Sequence, residues 1–161
     1  MFDYKKIICE KYVSFKIKKN GLKLHFLRFL GANIHSSVVA VGDFSWVGYP
    51  SNLKIGKNVT INNGVHLNFI EKLIIEDNVR ISTNVQIHTG KIVRANKKNL
   101  HQNNPIIIGE NTWIAAGAVI SSGVKIVSDT IISCNSSVIK SIDQPGLYAG
   151  NPAKLIRLHK H

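Results

Sequence analysis

The chain is poor in several kinds of residue, and each shortage narrows its class. Cysteine occurs only at Cys9 and Cys134, whose separation fits no metal-ligand spacing, so we expect free thiols and no bound metal. No apolar run reaches the 18 or more residues of a membrane-spanning helix. Lys16, Lys18 and Lys23 interrupt the apolar residues of the first 30 positions, which argues against a signal peptide. We therefore expect a cytoplasmic protein.

Acidic residues are also scarce, at 9 against 21 Lys and Arg, for a net charge of +12. None lies between Asp77 and Glu110, and that window carries Arg80, Lys91, Arg94, Lys97 and Lys98. A basic field of this kind suits a phosphorylated ligand. Aromatic residues form 7% of the chain and are not interleaved with these cations, so we expect no nucleic-acid partner. The basic N-terminal segment is compatible with weak association with an acidic membrane surface.

What the chain has in abundance is an aliphatic residue at every sixth position, with a few slips and one long interruption. These positions are Ile34, Val41, Val47, Ile55, Ile61, Leu67, Ile75, Ile81, Ile87, Ile108, Ile114, Ile120, Ile126, Ile132 and Val138. The residues three places further on test the repeat independently. Ten of those fifteen are Gly, Asn or Asp, which tolerate a left-handed backbone at a corner.

A period of six is wrong for a helix and too long for alternation within one strand. It predicts an all-β solenoid of about five coils, with three short strands in each coil and the aliphatic residues stacked inside. We expect a helical N-terminal cap over 1–33 and the solenoid over 34–144. A protruding loop over 89–105 and a tail over 145–161 complete the chain. Pro152 favours a short C-terminal helix over 152–159.

Three segments carry a resemblance to a known family. They are Ile55-Gly56-Lys57-Asn58-Val59, the stretch from Ile108 to Ile114, and the ending Tyr148-Ala149-Gly150-Asn151-Pro152-Ala153-Lys154. Over about residues 22 to 158 the chain resembles the hexapeptide-repeat acyltransferases, most closely the sugar and exopolysaccharide O-acetyltransferases. The resemblance implies a left-handed parallel β-helix that assembles as a homotrimer, with coenzyme A between neighbouring prisms.

The same resemblance implies an activity and a set of residues. The expected reaction moves an acetyl-type group from acetyl-CoA to a hydroxyl or amine of a sugar or small acceptor, in surface polysaccharide biosynthesis. Trp113, Ala115 and Ala116 match the segment beside the thioester, where a backbone N–H can stabilise a developing oxyanion. The basic positions that approach the coenzyme A phosphates are matched by Lys140, Lys154 and Arg157.

The catalytic base departs from the family pattern. The sugar acetyltransferases carry a histidine where this chain has Ile92, and the serine acetyltransferases carry one where it has Phe69. Neither side chain can accept a proton, so another residue must activate the acceptor. The candidates are His88, which is nearest in sequence to the expected position, and His101 in the basic loop, followed by His66 one coil earlier.

Two other interpretations stay open. The missing histidine is also what a catalytically inactive paralogue that still binds coenzyme A would show. A γ-class carbonic anhydrase shares the repeat but needs three histidines at a subunit interface to hold zinc. The loop has no closely spaced histidine pair, and the Gly-Asn-Pro-Ala-Lys ending points away from that class.

Overall fold

The computed structural model describes residues 21–95 and 98–159. The predicted basic N-terminal segment therefore lies mostly outside the described residues. One helix, α1, covers residues 21–29. In chain order the strands are β1 (Asn33–Ile34), β2 (Val39–Ala40), β3 (Phe44–Gly48), β4 (Leu53–Ile55), β5 (Thr60–Ile61), β6 (Val65–Phe69), β7 (Leu73–Ile75), β8 (Arg80–Ile81), β9 (Gln86–His88), β10 (Gly90–Ala95), β11 (Lys98–Asn103), β12 (Ile106–Ile108), β13 (Trp113–Ile114), β14 (Val119–Ile120), β15 (Lys125–Ile126), β16 (Ile131–Ile132), β17 (Ser137–Val138), β18 (Gly146–Ala149) and β19 (Lys154–Leu158).

Fifteen of the strands wind into five coils, and each coil gives one strand to each of three sheets, in which these strands run parallel. Strands β18 and β19 extend one of the sheets, and β10 and β11 form a separate hairpin. Sheet A is ordered β1-β4-β7-β12-β15, and sheet C is ordered β17-β14-β9-β6-β3. Sheet B runs β19-β18-β16-β13-β8-β5-β2, with the C-terminal strand at its edge. The three sheets form the faces of a prism around a continuous aliphatic core, which confirms the predicted solenoid.

The corner residues explain how so short a repeat closes. Ten of the fifteen predicted corner positions carry Gly, Asn or Asp, and nine of those ten have positive φ, between 54° and 83°. All of them are Gly, Asn or Asp, the residues that adopt this conformation at the least cost. The exception is Gly90, where the chain leaves the coil to begin β10.

The first coil corrects two of the predicted inward positions. Val41 is half-buried and Val47 is exposed, whereas Ala40 pairs with Ile61 and Trp46 pairs with Leu67. The inward residues are thus one place earlier than predicted. Successive strand residues point to opposite faces, so a slip of one residue reverses the side. The aliphatic pattern was misleading here because valine also occupies the outward positions.

The helix α1 covers the open end of the first coil, as the predicted cap requires. Leu24 and Leu27 are buried in the core. Arg28 donates hydrogen bonds from Nε to the carbonyl of Ile34 at 2.9 Å and from Nη2 to that of His35 at 2.7 Å. Coil carbonyls that have no preceding coil to pair with are satisfied in this way.

The protruding segment is more regular than expected. Strands β10 and β11 form an antiparallel hairpin in which Gly90 pairs with Asn103 and Ala95 with Lys98. The prediction of an irregular loop over 89–105 missed this pairing because the two strands have no strict alternation of apolar and polar residues.

The C-terminal helix predicted over 152–159 is wrong. Residues Lys154–Leu158 form β19, which pairs antiparallel with β18. A sheet edge presents unpaired N–H and C=O groups, and a strand that returns against it satisfies them. This gain depends on the neighbouring β18, so the local sequence around Pro152 could not reveal it.

Candidate functional site

The hairpin leaves the prism from a fixed base. The buried Thr89 donates from Oγ1 to Asn68 Oδ1 at 3.0 Å. Its carbonyl oxygen accepts from Ser122 Oγ at 2.6 Å and from the backbone N–H of Asn104 at 2.9 Å. Both ends of the insertion are therefore held, and His88, the residue before Thr89, has a defined position.

The surroundings of His88 at this base disfavour its charged form. It is half-buried at the end of β9, and its Nε2 lies 3.1 Å from Gln86 Oε1. An amide oxygen only accepts, so Nε2 donates and Nδ1 keeps its lone pair. Burial lowers the pKa of His88, and the neighbouring His66 lowers it further. At neutral pH the side chain thus has the form that a general base requires.

His66 lies one coil below, on the same face of sheet C. Its ring centroid is 5.4 Å from that of His88, with 38° between the ring planes. Ser45, one coil further down, lies 2.9 Å from His66 Nδ1 through its hydroxyl. Three coils thereby contribute Ser45, His66 and His88 to one connected group of polar side chains on sheet C.

His101 occupies a different setting, on the exposed hairpin. In the hairpin register it pairs directly with Ile92, the position at which the resembled family has its histidine. Directly paired residues of antiparallel strands have Cβ atoms about 5 Å apart on the same side. His101 thus reaches the same side of the hairpin as the expected base would. Phe69 is fully buried and stacked on Trp46 at 5.6 Å, so its position belongs to the core.

A continuous row of outward side chains runs across sheet B. Strand pairing aligns Arg80 with Trp113, Trp113 with Ile131, Ile131 with Leu147, and Leu147 with Arg157. Neighbouring strands are about 4.8 Å apart, so Trp113 and Arg157 are separated by roughly 14 Å across three strand spacings. Apolar side chains thus separate Arg80 from Arg157, and the row continues beyond Arg80 through Thr60 to Val39.

Trp113 has a fixed orientation although 47% of its surface is exposed. Its indole Nε1 donates to Ser82 Oγ at 3.0 Å, which holds the ring against the neighbouring coil. Ala115 and Ala116 follow at the turn after β13. The Ala115 N–H donates to Ile132, whereas none of the described residues accepts a hydrogen bond from the Ala116 N–H. Of the two N–H groups, that of Ala116 is the one left available to a ligand.

The remaining predicted cations gather around the last coil. Lys154 begins β19 beside Arg157 on the same strand. The turn before it is tied to β17, because the Ser137 N–H donates to the carbonyl of Gly150 and the Ala153 N–H donates to the carbonyl of Ser137. Lys140 lies three residues beyond Ser137 and is exposed. The three cations thus belong to the last coil and to the C-terminal strand β19.

The candidate residues fall into two groups on different faces. His88 and His66 lie on sheet C, whereas Trp113 and Arg157 lie on sheet B. Outward side chains of two prism faces diverge, so one chain does not bring the histidines and Trp113 together. The sequence analysis missed the contacts that Ser82 and Gln86 make with these residues. Alignment of successive coils with the insertion removed could have revealed the Ser82 contact with Trp113, and the two-residue period of a strand could have revealed the Gln86 contact with His88.

Relatives are evident at the level of sequence, although no protein-family model matches the chain. It is 38% identical over 112 residues to a protein of Saccharomyces cerevisiae that is provisionally named an acetyltransferase; the match covers 68% of this chain and 57% of the yeast protein. It is 31% identical over 131 residues to WcaF of Escherichia coli, provisionally named a colanic acid biosynthesis acetyltransferase; that match covers 81% of this chain and 71% of WcaF. The chain thus spans little more than half of the yeast relative.

Solved structures share the architecture. A maltose O-acetyltransferase from Clostridium difficile superposes with a TM-score of 0.75 at 27% identity, covering 84% of this chain and 73% of that one. A hexapeptide-repeat acetyltransferase from Vibrio cholerae, solved with acetyl coenzyme A, gives a TM-score of 0.78 at 24% identity, covering 100% of this chain and 94% of that one. The second likeness shows the fold, a left-handed β-helix. Across residues 21–95 and 98–159 no helix has both the length and the apolar character to cross a membrane.

Proposed function

The chain belongs to the hexapeptide-repeat acetyltransferases, on their sugar O-acetyltransferase branch, and from this premise we propose that it transfers an acetyl group from acetyl-CoA to a sugar hydroxyl. The name of WcaF supports an acceptor from surface polysaccharide biosynthesis. The row on sheet B is the observation that carries the proposal. It offers cations for phosphates at the Arg157 end and a fixed aromatic ring at Trp113 for the thioester end.

In the proposed reaction His88 is the general base. The acceptor hydroxyl oxygen attacks the thioester carbonyl carbon while its proton passes to Nδ1 of His88. A C–O bond forms, and the C–S bond breaks as the tetrahedral intermediate collapses. Coenzyme A leaves as a thiolate that recovers the proton from the imidazolium. The Ala116 N–H is placed to stabilise the oxyanion in between.

His101 is the second candidate for this role. Its support is the pairing with Ile92, which puts an imidazole on the side of the hairpin where the family's base is expected. His88 is preferred because its pKa is lowered and its ring is oriented by Gln86. His101 is exposed on strand β11. A preorganised base spends less free energy on positioning in the transition state.

A working site needs two copies of the chain. Because His88 lies on sheet C and Trp113 on sheet B, a cleft containing both residues is built from sheet C of one copy and sheet B of the next. Such a head-to-tail contact closes when rotation returns to the start, and three faces favour three copies. We therefore propose a homotrimer with three equivalent clefts. Light scattering should report about three times the 17.8 kDa chain mass, and a stable monomer would contradict the proposed site.

The test of the activity has two measurements. Calorimetry with coenzyme A should show binding to the purified protein, and a thiol-reactive dye should report coenzyme A release from acetyl-CoA when sugars are added. Absence of coenzyme A binding would refute the proposal. Binding without thiol release across neutral and charged sugars would favour the inactive paralogue instead.

A further inference from the structure

Arg80 is the cation next to Trp113 in the row of outward side chains on sheet B. It is exposed at the start of β8 and aligned with Trp113 of the next coil. The one ion pair among the described residues joins Lys23 and Asp43, so the Arg80 guanidinium has no carboxylate within salt-bridge distance there. An arginine that is free of a protein carboxylate can offer its planar fork to an anionic ligand.

The surroundings of Arg80 form a groove of about 400 Å³. Its walls include the amides of Asn78 and Asn111, the Trp113 ring, Ile131 and His159. An aromatic face accepts the apolar side of a sugar ring, and an imidazole pairs with a hydroxyl. The Ser82 hydrogen bond keeps the indole plane in place for such stacking.

The order of residues along the row assigns the ends of this groove. If the phosphates of coenzyme A lie at Arg157, as proposed above, the pantetheine arm runs toward Trp113 and the thioester ends there. Arg80 lies one strand beyond Trp113, about 4.8 Å further from the phosphates. That is the side from which the acceptor approaches the thioester.

We propose that the acceptor carries an anionic group, a phosphate or a carboxylate, and that Arg80 binds it. The inference rests on the proposed function, since the thioester position defines the acceptor side. Arg80 is then a specificity residue that holds the sugar while its hydroxyl is acetylated.

One acidic residue also lines the groove and has to be compatible with this assignment. Asp129 lies at the corner before β16, two strands from Arg80 on the far side of Trp113. Two strand spacings amount to about 10 Å. Its Oδ1 already accepts from Asn111 Nδ2 at 3.0 Å. An anion bound at Arg80 is therefore closer to the guanidinium than to this carboxylate.

The test compares three sugars that share one ring: methyl glucoside, glucose 1-phosphate and glucuronate. Each is titrated calorimetrically into the whole protein saturated with coenzyme A, so that the phosphate site at Arg157 is already filled. We expect at least one of the anionic sugars to bind about tenfold or more tightly than methyl glucoside. The sugar that gains affinity identifies the anion as phosphate or carboxylate.

Arg80→Ala should remove the preference and leave methyl glucoside binding nearly unchanged, and Arg80→Lys should restore part of it. Lys125→Ala is the matched control, because it removes an exposed cation from sheet A and should keep the preference. Equal affinity for all three sugars, or a preference that survives in Arg80→Ala, would overturn the inference. If the parent protein does not bind coenzyme A, the proposed function is overturned instead.

Discussion

His88 and His101 lie close together in the fold, because His101 pairs across the hairpin with Ile92, only four residues after His88. The two histidines differ in what surrounds them. His88 packs against His66 at the prism surface, bonds to Gln86 and is followed by the buried Thr89. His101 lies on a hairpin strand whose six residues are all exposed. The comparison teaches that proximity to an expected sequence position and preparation for proton transfer are separate properties. His101 has the first through Ile92, and His88 has the second.

The largest effect should come from removing the prepared imidazole. We expect His88→Ala to lower kcat by about 100-fold or more, because the variant lacks the imidazole that is proposed to accept the proton. The dissociation constant of coenzyme A, measured by calorimetry, should stay near the parental value, since the base acts in the transition state. A variant that keeps parental turnover would exclude His88 as the base.

The second effect should appear in coenzyme A affinity and not in kcat. Lys140→Ala combined with Arg157→Ala should weaken coenzyme A binding by about tenfold or more, with smaller losses as the salt concentration rises, because both side chains are exposed and screened. KM for acetyl-CoA should rise while kcat changes little. Calorimetry at two salt concentrations measures this. An affinity that does not change would place the phosphates elsewhere on the prism.

The third change addresses the hairpin directly. His101→Ala should leave kcat close to that of the parent, since an exposed imidazole on the hairpin is not needed when His88 is the base. Steady-state rates measured beside His88→Ala decide between the two residues. A large loss confined to His101→Ala would move the base to the hairpin. If neither variant loses activity but Ile92→His gains it, the parent protein is an inactive paralogue.

The smallest effect is a shift along the pH axis. Because the pKa of His88 is lowered, kcat/KM should hold its plateau at pH 7 and fall only below the ordinary histidine value of about 6.5. His66→Ala removes part of the burial and a neighbour that repels the imidazolium, and both changes raise the pKa. The falling limb should move to higher pH in profiles recorded between about pH 5 and 8. A limb that does not move would show that His66 does not influence the base.

Much of the site could not be predicted from the sequence because it depends on alignment between coils. Arg80 and Trp113 each precede an inward isoleucine, so both are outward residues by the repeat alone. Their pairing becomes visible only when the hairpin insertion is removed from the count, which the coordinates do directly. The contact between His66 and His88 also depends on alignment between coils, although the repeats that carry these two residues are uninterrupted. It requires that β6 and β9 be neighbours in sheet C.

The coils follow from the amino-acid sequence alone, because each six-residue repeat carries its own conformational preferences. An aliphatic residue faces inward because its burial is favourable. A Gly, Asn or Asp three places later adopts the left-handed corner conformation because its backbone does so at low steric cost. Tertiary structure decided the phase of the first coil, the strand at the C-terminus and the separation of the candidate site over two faces. Each of these depends on which edge or neighbouring strand satisfies the backbone, and such pairing is not encoded within six residues.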